Sequence, residues 1–151
     1  MKIIAHRANI NGSNSSNENR LSQIRKCIEL GYEVEIDIRL IDKKLYLGHD
    51  KPEDIISEKE IFELKDNCWI HCKNLDALTF FNQFGEIYNY FWHQNDKFTL
   101  TSKGYIWTYP GETLSLKSIC VMPELNMNHT ELTNLKNLKV EGICTDFPNL
   151  I

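Results

Sequence analysis

Val34-Glu35-Ile36-Asp37-Ile38-Arg39 alternates strictly, with Glu35, Asp37 and Arg39 on one face and Val34, Ile36 and Ile38 on the other. Period-two alternation defines a strand. An apolar outer face with two carboxylates on the inner face is unusual as pure architecture, because unpaired carboxylates are costly to bury. Two explanations remain open at this point. Either a divalent cation compensates the carboxylates, since hard cations take oxygen ligands, or the strand is exposed and Glu35 and Asp37 face water. A dozen residues on, His49-Asp50 adds an imidazole and a third carboxylate.

Outward from this strand, the chain alternates strand and helix patterns. Lys2 to Ala5 is a short apolar run ending at His6-Arg7, followed by a polar Asn/Ser/Gly loop. Leu21, Ile24, Cys27 and Ile28 have helical spacing, and Gly31 stops that helix. Leu45 to Leu47 reads as a short strand paired with the end of the second. Ser57-Glu58-Lys59-Glu60 is a capping box. Further strands are expected at 68–73, 87–93, 98–101, 105–109, 119–122 and 140–145, with helices beginning at Asn74 and running through Leu132, Leu135 and Leu138.

About eight strands alternating with helices predict an α/β fold with a parallel sheet. The expected architecture is one domain over residues 1–151, a compact (β/α)8 TIM-type barrel with some helices shortened or missing. The chain has 151 residues, well short of the ~250 typical of that barrel. An open doubly wound sheet is the competing fold. Polar residues recur at the C-terminal ends of the strands: His6-Arg7, Glu35 and Asp37, His71 and Lys73, His93, Trp107, Glu124 and Asp146. That end carries the chemistry in barrels.

Composition bounds the function. Hydrophobic residues make up 42% and charged residues 25%, within the range of globular domains. A net charge of -4 argues against general nucleic-acid binding. The five cysteines form no paired metal-binding spacing, so reduced buried thiols and a cytoplasmic location are expected. Met1-Lys2-Ile3-Ile4-Ala5 runs straight into His6-Arg7, giving no leader-peptide core. No apolar run is long enough to span a membrane.

Ile4-Ala5-His6-Arg7, Glu18-Asn19, Glu35-Ile36-Asp37 and His49-Asp50 together resemble the signature of glycerophosphodiester phosphodiesterases, within the phosphatidylinositol-phospholipase-C-like group. Trp69-Ile70-His71-Cys72-Lys73, Trp107-Thr108 and Gly142 to Pro148 resemble that family's later motifs. The resemblance implies a TIM barrel that hydrolyses phosphodiesters with a divalent cation. It implies Glu35, Asp37 and His71 as metal ligands, and His6, His49, Arg7 and Lys73 as catalytic residues. Asn19 is expected to orient a histidine.

The chain departs from the family pattern in three ways. Ala8 replaces a usual Gly, His71 replaces a third acidic ligand, and the chain lacks the length for the family's substrate-pocket insertion. Mg2+ or Ca2+ is the implied cofactor, but an imidazole ligand softens the site and favours a transition ion such as Mn2+. The expected partner is a phosphodiester, either a glycerophosphodiester or a phosphodiester-linked polysaccharide or lipid headgroup. The alternative is an inactive barrel that binds a phosphorylated ligand.

Overall fold

The computed structural model describes all 151 residues. Ten strands form one sheet: β1 (Lys2–Ala5), β2 (Glu33–Ile41), β3 (Lys44–Leu47), β4 (Asp54–Ile56), β5 (Cys68–Cys72), β6 (Asn89–Phe91), β7 (Phe98–Leu100), β8 (Ile106–Thr108), β9 (Ser118–Val121) and β10 (Gly142–Thr145). Seven of them run parallel in the order β6-β5-β2-β1-β10-β9-β8. Four helices complete the fold: α1 (Leu21–Glu29), α2 (Glu58–Glu63), α3 (Leu75–Asn82) and α4 (His129–Thr133).

Two features differ from the sequence expectation. The strand at 98–100 runs antiparallel to β8, so it is one arm of a hairpin and not a separate parallel unit. A parallel crossover needs a dozen or more residues, and the connection 101–105 is too short to supply one. The second difference is β4, which pairs antiparallel with β3 and extends the β2–β3 hairpin into a three-stranded arm. No ladder joins β6 to β7 or β8. That seam is bridged instead by the Ser102 N–H donating to Tyr90 O (2.9 Å), the Tyr90 N–H to Ser102 Oγ (3.0 Å) and Thr99 Oγ1 to Trp92 O (2.8 Å).

The sheet's two faces follow from the strand periodicity. Val34, Ile36, Ile38, Cys68, Ile70 and Cys72 face outward and pack with Ile24 and Cys27 of α1, Ile61 of α2 and Phe81 of α3. On the concave face Ile4, Trp69, Phe91, Trp107, Ile119, Val121 and Cys144 form an apolar plug. Gly142 is required there, since a Cβ would sit 2.9 Å from both Cβ and O of Lys2. Above and below the plug the same face turns polar. The lower end carries Lys2, Glu33 and Tyr105, and the upper end, at the strands' C termini, carries the candidate site.

Candidate active site

Register places the first residues. Asp37 on β2 pairs directly with His71 on β5, and Glu35 pairs with Trp69. Glu35 is 2% exposed and Asp37 0%, which excludes the exposed-strand alternative. Glu35, Asp37 and His71 each offer one ligand atom, and these atoms lie within 4.8 Å of one another.

Each of the three is anchored by its other polar atom. Glu35 Oε2 accepts the Arg7 backbone N–H at 3.0 Å. Asp37 Oδ2 accepts Asn19 Nδ2 at 2.9 Å, while Asn19 Oδ1 accepts the Asp37 N–H at 2.9 Å. Asn19 therefore orients a carboxylate, not the histidine expected from sequence. His71 Nε2 lies 3.0 Å from the His93 carbonyl oxygen. A carbonyl only accepts, so Nε2 carries a proton, and Nδ1 is turned to the carboxylates. Nδ1 lies 3.1 Å from Asp37 Oδ1 and 3.8 Å from Glu35 Oε1.

Burial acts on both carboxylates, with opposite outcomes. For Glu35, burial and the adjacent Asp37 charge push the pKa up. For Asp37, burial is outweighed by His71, Lys73 and Arg7, and the pKa is held well below the usual carboxylate range. Lys73 Nζ stands 3.6 Å and Arg7 Nε 3.5 Å from Asp37. Two close carboxylates, one favoured neutral and one ionised, form a strongly coupled pair.

The histidines have contrasting settings. His6 ends β1 and is 9% exposed. Its Nδ1–H donates to Asp146 Oδ1 at 2.8 Å, and its Nε2 lies 4.0 Å from Glu35 Oε2. Burial disfavours the His6 cation, but the Asp146 bond and the Glu35 charge overcome this and raise the pKa. Asp146 is itself fixed by Asn9 Nδ2 (2.8 Å) and, through its backbone N–H, by Glu124 Oε1 (2.7 Å). Glu124 is thus a loop anchor and not a free surface charge.

His49 is more open and sits beyond β3, its Nδ1 bonded to Asp50 Oδ1 at 2.7 Å. Burial and the nearby Arg7 and Lys73 charges depress its pKa, against the pull of Asp37. Arg39 secures this loop by donating to Gly48 O and, at 2.6 Å, to His49 O. Gly48 has φ +135°, where a Cβ would meet Lys51 O at 2.2 Å. Arg7 and Ala8 both adopt positive φ (49° and 65°), the left-handed region in which a glycine would be unstrained.

All seven residues singled out from sequence—His6, Arg7, Glu35, Asp37, His49, His71 and Lys73—line one cleft of about 420 Å3. Its far wall is built by His93, Gln94, Trp107, Tyr109, Met122 and Leu125. Asp146 and Arg39 were not identified as site residues. Their contacts cross 140 and 9 or 10 residues of chain respectively. The position of Asp146 at a strand end was a signal, but its bond to His6 has none in the local sequence. For Arg39, the shared face with Glu35 and Asp37 was the available signal.

No family model matches the sequence, and neither does any curated protein. Solved structures do match. A crystal structure assigned as a glycerophosphodiester phosphodiesterase from Galdieria sulphuraria superimposes with a TM-score of 0.57 at 13% identity, covering 98% of this chain and 94% of that one. A glycerophosphodiester phosphodiesterase from Parabacteroides distasonis gives 0.54 at 13% identity, covering 98% and 93%. The chain shares their fold over nearly its whole length.

Proposed function

We propose that the protein is a metal-dependent phosphodiesterase whose sheet serves as a shortened TIM-type barrel closed across the β6–β7 seam. The observation that carries this is the trio of anchored ligands. Asp37 Oδ1 is buried with no hydrogen-bond partner, between Glu35 and His71. Two carboxylates and one imidazole turned toward a shared point fit a divalent cation. The likeness to the two phosphodiesterase structures supports the same reading. Mg2+, Ca2+ and Mn2+ are the ions to test, with the imidazole ligand favouring Mn2+.

Such a cation would supply Lewis-acid stabilisation of the phosphoryl oxygens. The protein's own groups do the rest. Arg7 lines the cleft, paired with Asp37 and Glu18, and its guanidinium adds positive charge for a phosphoryl oxygen. Lys73 adds a second positive charge across the cleft. His49, favoured in its neutral form, takes the proton from a hydroxyl adjacent to the phosphate. That oxygen bonds to phosphorus as the bond to the leaving alcohol breaks. His6, held by Asp146, gives its proton to the departing oxygen. The first products are an alcohol and a cyclic phosphodiester, which water then opens to the monoester; a diester without such a hydroxyl is attacked by water directly, with the same two histidines moving the protons. The five cysteines are unpaired and buried, which supports a reducing, cytoplasmic setting. No helix is long and apolar enough to cross a membrane.

Calorimetric titration with Mn2+ and Mg2+, alongside hydrolysis of an activated phosphodiester, tests this reading. One binding site is expected, lost in the Glu35→Gln/Asp37→Asn variant together with activity. Unchanged binding in that variant refutes the ligand assignment.

A further inference from the structure

The cleft is electrically divided. Its charged and metal-ligating groups (Arg7, Glu35, Asp37, Lys73, with His6, His49 and His71) gather on the β1, β2 and β5 side. Across from them stand His93, Gln94, Trp107, Tyr109, Met122 and Leu125, without a carboxylate, ammonium or guanidinium among them. This leaves positive charge for one phosphate and none for a second.

His93 is the unusual member. Both its ring nitrogens are shielded from solvent, and neither has a hydrogen-bond partner. Its ring lies against Tyr109, with centroids 4.8 Å apart, and its backbone carbonyl is the group that orients His71. A half-buried imidazole whose two nitrogens are shielded and unsatisfied carries a desolvation cost until a partner arrives. A neutral imidazole offers one donor and one acceptor, the complement of a hydroxyl group.

We propose that His93, with Tyr109 and the exposed Gln94 beside it, forms a subsite for an uncharged, hydroxylated alcohol as the second arm of the phosphodiester. The proposal rests on the phosphodiesterase reading and narrows its substrate class. Hydroxyls satisfy the His93 nitrogens once the ring turns toward the cleft, while the carbon skeleton lies on Tyr109, Met122 and Leu125. A quaternary ammonium, the obvious alternative for an aromatic wall, fits poorly. It has neither donor nor acceptor for His93, and the one large aromatic surface beyond Tyr109 is unavailable. Trp107 is 4% exposed, packed 4.6 Å from Phe91 and 5.8 Å from Trp69 by ring centroids.

The test compares kcat/KM for glycerophosphoglycerol, glycerophosphoinositol, glycerophosphocholine and bis(4-nitrophenyl) phosphate. The first two distinguish a flexible polyol from a hydroxylated ring. At least one of them should exceed glycerophosphocholine by about 10-fold, the worth of one or two net hydrogen bonds. His93→Phe keeps the ring against Tyr109 and the backbone carbonyl, and should abolish that preference. His93→Gln restores a donor and an acceptor and should recover part of it. Hydrolysis of bis(4-nitrophenyl) phosphate with no polyol preference overturns the subsite alone, as does a preference that survives in His93→Phe. Failure to hydrolyse any of the four overturns the phosphodiesterase reading and the subsite with it.

Discussion

Strand β2 carries carboxylates to both polar ends of the concave face, and the ends treat them differently. At the lower end Glu33 is closed off. Its Oε1 pairs with Lys2 Nζ at 2.6 Å, its Oε2 accepts the Trp69 indole N–H at 2.6 Å, and Lys2 also lies over the Trp69 and Tyr105 rings. At the upper end Glu35 and Asp37 are buried more deeply yet left incomplete. Five buried side-chain atoms in the molecule lack a hydrogen-bond partner. Four of them (Arg7 Nε, Asp37 Oδ1 and both His93 nitrogens) line the upper cleft, with only Asn89 Oδ1 at the other end. Buried polar groups are normally satisfied, so this concentration marks the end built to receive something. The same residue type on the same strand is fully paired at one end and, in the proposed function, a metal ligand at the other.

The largest expected break of this contrast is catalytic. His6→Asn or His49→Asn should lower kcat by about 10²–10⁴-fold, while metal affinity measured by calorimetry stays nearly intact. Substitution at Glu33 should leave kcat unchanged. A smaller loss is expected at Arg39, which touches no substrate but holds the His49 loop through two carbonyls. Arg39→Met should cost about 10²-fold in kcat through misplacement of His49, with KM little changed and partial recovery in Arg39→Lys.

Stability should separate the two ends by sign. Glu35 is pushed toward its neutral form by burial and by Asp37. A raised carboxylate pKa means ionisation above the unfolded value costs stability. Glu35→Gln should therefore raise the Tm of metal-free protein at neutral pH, by about 2–4 °C if the relief is about 1 kcal/mol. Glu33→Ala leaves the buried Trp69 N–H without its acceptor and should lower stability by about 1–3 kcal/mol. Thermal melts of both variants in chelator check the pair, and matching signs would erase the distinction drawn between the ends.

The smallest effect is a shift in pH dependence. His49 titrates below its ordinary 6.5 because burial and the Arg7 and Lys73 charges disfavour its cation. As a base it stays neutral to lower pH, so the acid limb of kcat/KM should fall below pH 6.5. Lys73→Met removes one positive neighbour and should move that limb upward, whatever its effect on the rate itself.

Much of this was written in the sequence, and the physical reasons for the rest are specific. Alternation through Glu33–Ile41 fixed β2 and the shared face of Glu35 and Asp37, and clustering at strand ends fixed which edge would carry the cleft. Strand direction is not encoded in periodicity, so β7 passed as parallel. Only its short link to β8 pointed otherwise. β4 follows Lys51-Pro52-Glu53, whose turn-forming character obscured a strand that exists by pairing with β3. Asn19 gave no sign of its partner because side-chain hydrogen bonding depends on which strand lies beside it. The His6–Asp146 bond joins the two ends of the chain and becomes visible only when β1 and β10 pair. The place of His71 beside Glu35 and Asp37 was legible, but its proton position depends on the His93 carbonyl across a strand pair.

We propose the upper end as a working phosphodiesterase site completed by a divalent ion. Its most direct test is the rate of hydrolysis of one phosphodiester by wild type, His6→Asn, His49→Asn and the double variant, each after chelation and after readdition of Mn2+ or Mg2+. Turnover at full rate is expected only in the metal-restored wild type, with large losses in each single variant and a double variant little worse than either, because both histidines serve one step. Near-full activity in both single variants, or wild-type protein that binds glycerol phosphate but cleaves nothing, would contradict it.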